Sequence, residues 1–151
     1  MMQTGDRAPD FELPNETGTV RTLQALLAAG PVELYFYPAA MTPGCTAESC
    51  HFRDLQAEFA AVGAQRVGVS TDAVDRQRQF SEKYSFDFPL LSDPAGVVAA
   101  SYGVKRNLGL MPTRRVTFVI GTDGVILEVI KSEIRFSKHA DRALETLRAL
   151  S

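Results

Sequence analysis

The sequence is poor in cysteine and histidine, and this scarcity limits the kinds of site that it can build. Its 151 residues include two cysteines, Cys45 and Cys50, and two histidines, His51 and His139. Two cysteines are too few for a disulfide-stapled scaffold, and a chain of this length buries enough core to fold without one. Because neither a Cys-x-x-Cys pair nor a histidine cluster is present, a structural zinc site would lack ligands. We therefore expect no metal and no cofactor, and the closeness of the two cysteines indicates chemistry.

Long apolar runs and a strong net charge are also missing. No stretch approaches the roughly 18 apolar residues that span a bilayer, and no basic start leads into an apolar segment. Sixteen Lys plus Arg and eighteen Asp plus Glu give a formal net charge of -2. Such a balance does not indicate nucleic acid or an anionic membrane as a partner. We expect a cytoplasmic protein without either partner, acting on a small neutral substrate.

Apolar patterning predicts one α/β domain over residues 1–151, of which 45% are hydrophobic. Short β-rich apolar runs predict buried strands at 32–37, 66–70, 89–91, 115–120 and 125–130. Helical patterns separate the first three strands, and a Gly-containing turn joins the last two into a hairpin. An amphipathic helix from Ser137 to Leu150, capped by Ser137, closes the chain. With an added hairpin formed by 10–13 and 19–22, the pattern predicts a thioredoxin-like α/β sandwich with an N-terminal β-hairpin extension.

The segment that carries chemistry leaves the first buried strand and enters a helix. Thr42 is a good N-cap and Pro43 is favoured at the first helical position, so Cys45 falls in the first turn. Unpaired backbone N–H groups and the positive end of the helix dipole favour a thiolate there. Cys45 is therefore the candidate nucleophile. An inert buried cysteine is the alternative, because free cysteine is among the most buried residue types.

Helix geometry separates the two cysteines. At about 100° per residue, Cys45 shares a face with Phe52, Leu55 and Phe59, whereas Cys50 is displaced by roughly 140° and faces outward. Five helical residues also hold the two Cα atoms farther apart than the ~7 Å that a disulfide tolerates. A disulfide between the cysteines requires the first turns of the helix to unwind. The alternative is that Cys50 is merely tolerated at an outward position.

A thiolate in this place has the properties needed to reduce a peroxide. It would attack the terminal oxygen and become a sulfenic acid, which Cys50 would condense into a disulfide. The developing charge needs hydrogen-bond donors, and helix-start N–H groups, the Thr42 hydroxyl and an arginine are the candidates. Arg114 and Arg115 begin a predicted strand on opposite faces. Alternation alone leaves open which of these faces meets Cys45.

These residues resemble the signature of the peroxiredoxins. Pro38, Thr42 and Cys45 form the pattern Pro-x-x-x-Thr-x-x-Cys. The Cys-x-x-x-x-Cys spacing that ends at Cys50 is similar to that of the PrxQ, or bacterioferritin comigratory protein, subfamily. Further family-like segments follow in order, so the resemblance covers nearly the whole chain; they are 10–11, 52–54, 68–70, 88–93, 102–103 and 115–120.

The resemblance implies a role for each residue of this region. By it, Cys45 is the peroxidatic residue and Cys50 resolves its sulfenic acid as an intramolecular disulfide. The resemblance implies that Thr42 and Arg115 orient the peroxide. It also implies that Pro38 and Pro43 shield the thiolate from solvent, and that Glu48 helps to hold the arginine. It also implies a hydroperoxide substrate, thioredoxin or a glutaredoxin-type reductant, and a monomer or weak dimer. Arg115 is favoured over Arg114, which would then be a surface charge.

Other functions remain open on the residues alone. A thioredoxin-type disulfide oxidoreductase shares the fold but has Cys-x-x-Cys at the helix start, whereas four residues intervene here. A copper-delivery protein would bind copper through two cysteines and a histidine. A thiol-based sensor or chaperone would pass the same oxidation to a partner. His139 has no cysteine near it in sequence, and we predict a surface position without a catalytic role for it.

Overall fold

The computed structural model describes residues 1–107, 109 and 111–150. The chain alternates between strands and helices, as the apolar pattern predicts. In chain order the elements are β1 (Glu12–Pro14), β2 (Val20–Thr22), α1 (Leu23–Leu27), β3 (Val32–Phe36), α2 (Pro43–Asp54), α3 (Gln56–Ala61), β4 (Gln65–Ser70), α4 (Val74–Tyr84), β5 (Leu90–Ser92), α5 (Val97–Tyr102), β6 (Val116–Ile120), β7 (Ile126–Lys131) and α6 (Phe136–Arg148).

A five-stranded sheet in the order β5-β4-β3-β6-β7 forms the centre of the fold. The β3–β4 and β4–β5 pairs are parallel, and the β3–β6 and β6–β7 pairs are antiparallel. Strands β1 and β2 pair as a separate antiparallel hairpin, which confirms the predicted N-terminal extension. The mixed α/β architecture is therefore the one expected from the sequence.

Both faces of the sheet are covered, because the fully buried strand β3 presents apolar side chains to each. Leu34 and Phe36 join the cluster formed with α1 and α5. Tyr35 and Tyr37 join the cluster formed with α2, α3, α4 and α6. Phe52 of α2 stacks on Tyr35 with 4.5 Å between ring centroids. This burial, worth roughly 1.5–3 kcal/mol for an aromatic side chain, fixes α2 against the sheet beside the end of β3.

Two predicted helix caps differ from those in the structure. Thr42 occupies the N-cap position of α2 with extended backbone, but its hydroxyl donates to the Ala39 carbonyl oxygen at 2.7 Å instead of capping the helix. The prediction that Ser137 caps the last helix is wrong, because α6 begins at Phe136 after Arg135. The chain turns earlier than expected, since the Arg135 N–H donates to Ser132 Oγ at 2.9 Å.

Short helices were the elements that the sequence pattern did not predict. Helices α1 and α5 have only five and six residues, too few for a helical period to be recognised. The predicted single face that joins Cys45 to Phe59 is also interrupted, because α2 ends at Asp54 and α3 begins at Gln56. Within the described ranges, every helix is too short or too polar to cross a membrane.

Candidate active site

The candidate site lies where α2 begins, next to the end of β3. Cys45 is the third residue of α2 and is completely buried, on the same side of the sheet as Tyr37 and Phe52. Backbone hydrogen bonding of the first turn starts with the Thr46 N–H, which donates to the Thr42 carbonyl oxygen at 2.9 Å. The sulfur of Cys45 therefore lies within the first turn, where backbone N–H groups lack helical acceptors.

Arg115 is the arginine that reaches the cysteine. Its Nη1 lies 3.4 Å from Cys45 Sγ and 2.9 Å from Glu48 Oε1, so one N–H-bearing nitrogen contacts both groups. Arg115 is buried and Arg114 is exposed. Burial disfavours the charged guanidinium, but the negative charges of Glu48 and Cys45 outweigh it and raise the pKa of Arg115. The structure thus identifies the face of β6 that meets Cys45, which strand alternation alone left open.

Glu48 lies one turn along α2 from Cys45 and is completely buried. Its Oε1 accepts the hydrogen bond from Arg115, while its Oε2 has no hydrogen-bond partner among the described residues. Burial raises the pKa of Glu48 to about 8, although the positive charge of Arg115 acts in the opposite direction. The carboxyl group therefore gains and loses its proton near neutral pH.

His139 is part of this buried site, so its predicted surface position is wrong. The side chain is completely buried, with Nδ1 2.8 Å from Thr117 Oγ1 and Nε2 2.8 Å from the Ser132 carbonyl oxygen. Burial lowers the pKa of His139 to about 4, which keeps the ring neutral at pH 7. A sequence signal was available, because His139 lies on the buried stripe of α6 with Ala143 and Leu147.

The remaining residues suggested by the resemblance surround the cysteine at different depths. Pro38 is buried, Thr42 is half-buried and Pro43 is exposed at the first position of α2. The Thr42 hydroxyl gives its hydrogen to Ala39, so only its lone pairs are available to another molecule. Pro38 is thus enclosed by the fold, whereas Pro43 faces solvent.

Cys50 lies farther along α2 and is partly exposed, and both cysteines are free thiols in the structure. Burial raises the pKa of Cys50, an effect that the positive charge of Arg53 partly offsets. Cys50 is therefore protonated at neutral pH. The next residue, His51, ties this part of α2 to α6, since its Nε2 lies 2.7 Å from Asp141 Oδ1. In the described part of the chain, no three or more His, Cys, Asp or Glu side chains cluster in a way that suits a metal ion.

Two further residues, Phe136 and Gly44, lie next to Arg115. No sequence pattern indicated either of them. The ring of Phe136 lies over the Arg115 guanidinium, 4.8 Å from its Cζ to the ring centroid. A Cβ atom at Gly44 would lie 2.8 Å from Phe136 Cζ and 3.2 Å from Arg115 Nη2. Glycine at this position therefore allows the aromatic ring and the arginine to approach the first turn of α2.

Cys45 lies buried where a central strand leads into a helix, and an arginine contacts its sulfur. This arrangement defines a class of thiol-based α/β proteins. Comparisons with known proteins give the family. The model of the AhpC/TSA family matches residues 4–129. A peroxiredoxin of Mycobacterium tuberculosis is 62% identical over 151 residues, which are 99% of this chain and 98% of the relative. The chain belongs to the AhpC/TSA family and is a peroxiredoxin.

Solved structures support the same assignment. Peroxidoxin BcpB from Mycobacterium tuberculosis has a TM-score of 0.96 and 61% identity, covering 100% of this chain and 99% of that one. The bacterioferritin comigratory protein of Xanthomonas campestris has a TM-score of 0.85 and 32% identity, covering 93% and 91%. A chloroplastic peroxiredoxin Q of Sedum lineare is 37% identical over 147 residues, 97% of this chain and 78% of the relative. These findings confirm the thioredoxin-like fold and the resemblance to PrxQ proteins. As a peroxiredoxin, the chain is a thiol peroxidase that uses a hydroperoxide and a thiol reductant.

Proposed function

We propose that the protein is a two-cysteine peroxidase in which Cys45 reduces the hydroperoxide and Cys50 resolves the oxidised product. The observation that carries this proposal is the 3.4 Å contact between Arg115 Nη1 and Cys45 Sγ. A fixed positive charge on a buried sulfur, in the first turn of a helix, favours the thiolate and stabilises charge that develops on a reacting oxygen.

In the first step, the Cys45 thiolate attacks the terminal oxygen of a hydroperoxide ROOH. The S–O bond forms as the O–O bond breaks, which leaves Cys45 as a sulfenic acid and RO⁻ as the leaving group; RO⁻ takes a proton from solvent to give ROH. Arg115 stabilises the departing charge. The Thr42 oxygen, whose hydrogen is committed to Ala39, accepts a hydrogen bond from the peroxide O–H and orients it.

In the second step, the Cys50 thiol condenses with the Cys45 sulfenic acid, forming a disulfide and releasing water. The two side chains cannot meet across five residues of intact helix, because their Cα atoms are farther apart than the ~7 Å of a disulfide. The first turns of α2 therefore unwind before the bond forms. A dithiol protein of the thioredoxin or glutaredoxin type then takes the disulfide by exchange and returns both cysteines to thiols. All groups that react before this exchange lie in one chain, which is consistent with a monomer or weak dimer.

The surroundings of the site favour organic hydroperoxides in addition to hydrogen peroxide. Phe136 covers Arg115, and the neighbouring Ile134 is 82% exposed. Such an apolar rim can contact an alkyl group while the peroxide oxygen approaches Cys45. The bacterioferritin comigratory protein of Xanthomonas campestris is described as having alkyl peroxide reduction activity. We extend that substrate class to this chain.

Stopped-flow consumption of hydrogen peroxide and cumene hydroperoxide by the reduced protein tests the proposal, with mass spectrometry of the products. Cys45→Ser should abolish the reaction. Cys50→Ser should still form a sulfenic acid at Cys45 but stall unless a small thiol is added. Ala47→Ser, at an exposed position of the same helix, is the matched control and should behave as wild type. A wild-type rate no greater than that of free cysteine would reject the proposal.

A further inference from the structure

A buried polar chain extends behind the reacting cysteine, and the proposed mechanism does not use its far end. Cys45 contacts Arg115, which contacts Glu48. Glu48 Oε2 in turn lies 3.6 Å from His139 Nε2. The side chains of His139 and Glu48 are fully buried, so neither is oriented by bulk solvent. Polar groups in such a place cost free energy unless their partners hold them.

The two partners of His139 determine its tautomer. A neutral imidazole carries one N–H, and a backbone carbonyl can only accept a hydrogen bond. Nε2 therefore carries the hydrogen and donates it to the Ser132 carbonyl oxygen at 2.8 Å. Nδ1 is then the acceptor for the Thr117 hydroxyl, also at 2.8 Å. The ring is fixed from both sides, and its Nε2, which carries the hydrogen, lies 3.6 Å from Glu48 Oε2.

The position of Arg115 depends on Glu48. Arg115 Nε has no hydrogen-bond partner in the described part of the chain, and Nη1 bonds to Glu48 Oε1 and Cys45 Sγ. The Glu48 carboxyl thus fixes the guanidinium, while its own second oxygen has no hydrogen-bond partner among the described residues and lies 3.6 Å from His139 Nε2. A rotation of this carboxyl would move the arginine away from the sulfur.

We propose that His139 is a positioning residue, which seats the Glu48 carboxyl and through it keeps Arg115 on the cysteine. The inference rests on the proposed peroxidase function. Four parts of the chain meet here: α6 provides the imidazole, the residue before β6 the arginine, the segment after β7 the carbonyl of Ser132, and α2 the carboxyl. His139 acts without touching peroxide.

Several charged groups face the Glu48–His139 pair and define its electrostatics. Glu48 lies in α2, and Arg115 directly precedes β6. Glu133, which follows β7, raises the pKa of both Glu48 and His139, although burial is the largest influence on each. From α6 itself, Lys138 lowers the pKa of His139. From β3, the buried Glu33 is near enough that Glu48 contributes to its raised pKa.

The test measures how fast peroxide oxidises Cys45, in the Cys50→Ser background so that one thiol is present. His139→Leu fills the space without polar atoms, and the rate constant should fall roughly 10-fold, as expected when an outer partner of a reactive group is lost. His139→Gln keeps an N–H near the place of Nε2 and should recover most of that loss. We expect Glu48 to produce a limb of the rate–pH profile near pH 8. This limb should move to higher pH in His139→Leu, because the N–H-bearing Nε2 that lies 3.6 Å from Glu48 Oε2 is gone.

Two comparisons separate positioning from mere support of the fold. Leu144→Ala, on the same buried face of α6, should lower the melting temperature but leave the rate and its pH profile unchanged. Adding His139→Leu to Glu48→Gln should cause no further loss, because His139 acts through that carboxyl. If His139→Leu does not fold, Thr117→Val, which removes the hydroxyl bonded to Nδ1, takes its place and should slow the reaction several-fold.

The outcomes distinguish this inference from the proposed function. A wild type that reduces peroxide rapidly, together with a folded His139→Leu of equal rate and pH profile, would overturn the positioning role and leave the peroxidase intact. If Thr117→Val is used in place of His139→Leu, an unchanged rate in Thr117→Val would likewise overturn the positioning role and leave the peroxidase intact. A wild type that is slow with every peroxide would instead overturn the proposed function itself.

Discussion

Phe136 stacks on Arg115, with 4.8 Å between the guanidinium carbon and the ring centroid. The contact joins the first residue of α6 to the residue before β6, which itself contacts Cys45. An aromatic face holds a guanidinium by its quadrupole, and the gain is larger where water is excluded. Phe136 therefore restricts Arg115 from the solvent side as Glu48 does from the interior.

This stacking makes a specific prediction for Gly44, whose added Cβ would lie 2.8 Å from the end of the Phe136 ring. Gly44→Ala should push the ring off the arginine and slow Cys45 oxidation several-fold. In a Phe136→Ala background the clash with the ring is removed. Only the 3.2 Å approach to Arg115 Nη2 remains, and without the stacked ring this side chain can shift, so the same substitution should stabilise the protein by up to about 1 kcal/mol through helix propensity. Urea denaturation of the four variants in this cycle measures the change of sign, and a Gly44→Ala effect that ignores Phe136 would contradict the argument.

Arg114 and Arg115 allow a matched test of the positive charge that contacts the Cys45 sulfur, because only Arg115 makes this contact. Arg115→Lys keeps a positive charge but cannot contact Cys45 and Glu48 together in the same geometry. Its rate constant for Cys45 oxidation should fall by about 100-fold, as when a donor to a developing oxyanion is lost. Arg114→Lys changes an exposed residue and should leave the rate unchanged. Equal losses in both variants in stopped-flow fluorescence would argue that overall charge matters rather than the contact.

The strands and the reactive helix start could be predicted from the sequence because their signals are local. An apolar run such as that of β3, or a Thr-Pro pair before Cys45, is recognised without knowing its neighbours. The roles of His139 and Phe136 could not be assigned in this way, because their side-chain partners lie more than twenty residues away and meet them only when α6 packs on the sheet. The Ser137 cap failed for a different, local reason: the preceding turn is set by a hydrogen bond from the Arg135 N–H to Ser132 Oγ, which moves the helix start.

Because of Glu48, the free energy of unfolding should fall as pH rises toward 8. Its pKa is raised from an ordinary value of 4.5 to about 8 in the folded protein, so the native state binds more protons than the unfolded chain between these values. Stability from this group is complete below the unfolded value and is lost as pH rises through 8. His139 has a lowered pKa of about 4, and it opposes this trend only below about pH 6.5.

The consequence is a loss of roughly 2 kcal/mol between about pH 6.5 and 8, since one proton contributes about 1.4 kcal/mol per pH unit. Glu48→Gln carries no titrating proton and should show a flatter profile, with Glu33 left as a source of the remaining slope. Urea unfolding at a series of pH values measures the difference. Parallel profiles for wild type and Glu48→Gln would show that this carboxyl does not titrate in that window.

Oxidation should unwind the beginning of α2 but leave its end in place. The disulfide that we propose cannot form across intact helix, whereas Phe52 stays stacked on Tyr35 and His51 stays paired with Asp141. Hydrogen exchange followed by mass spectrometry should therefore show that peroxide removes amide protection over residues 46–50, where the helical hydrogen bonds of α2 begin, and preserves it from 51 onward. Cys50→Ser, given the same peroxide, is the control and should keep the protection of the first turns, because its sulfenic acid has no partner within the chain. Protection that persists over 46–50 in the oxidised wild type would require Cys45 to be resolved by another thiol, and Cys50 would then lose its assigned role.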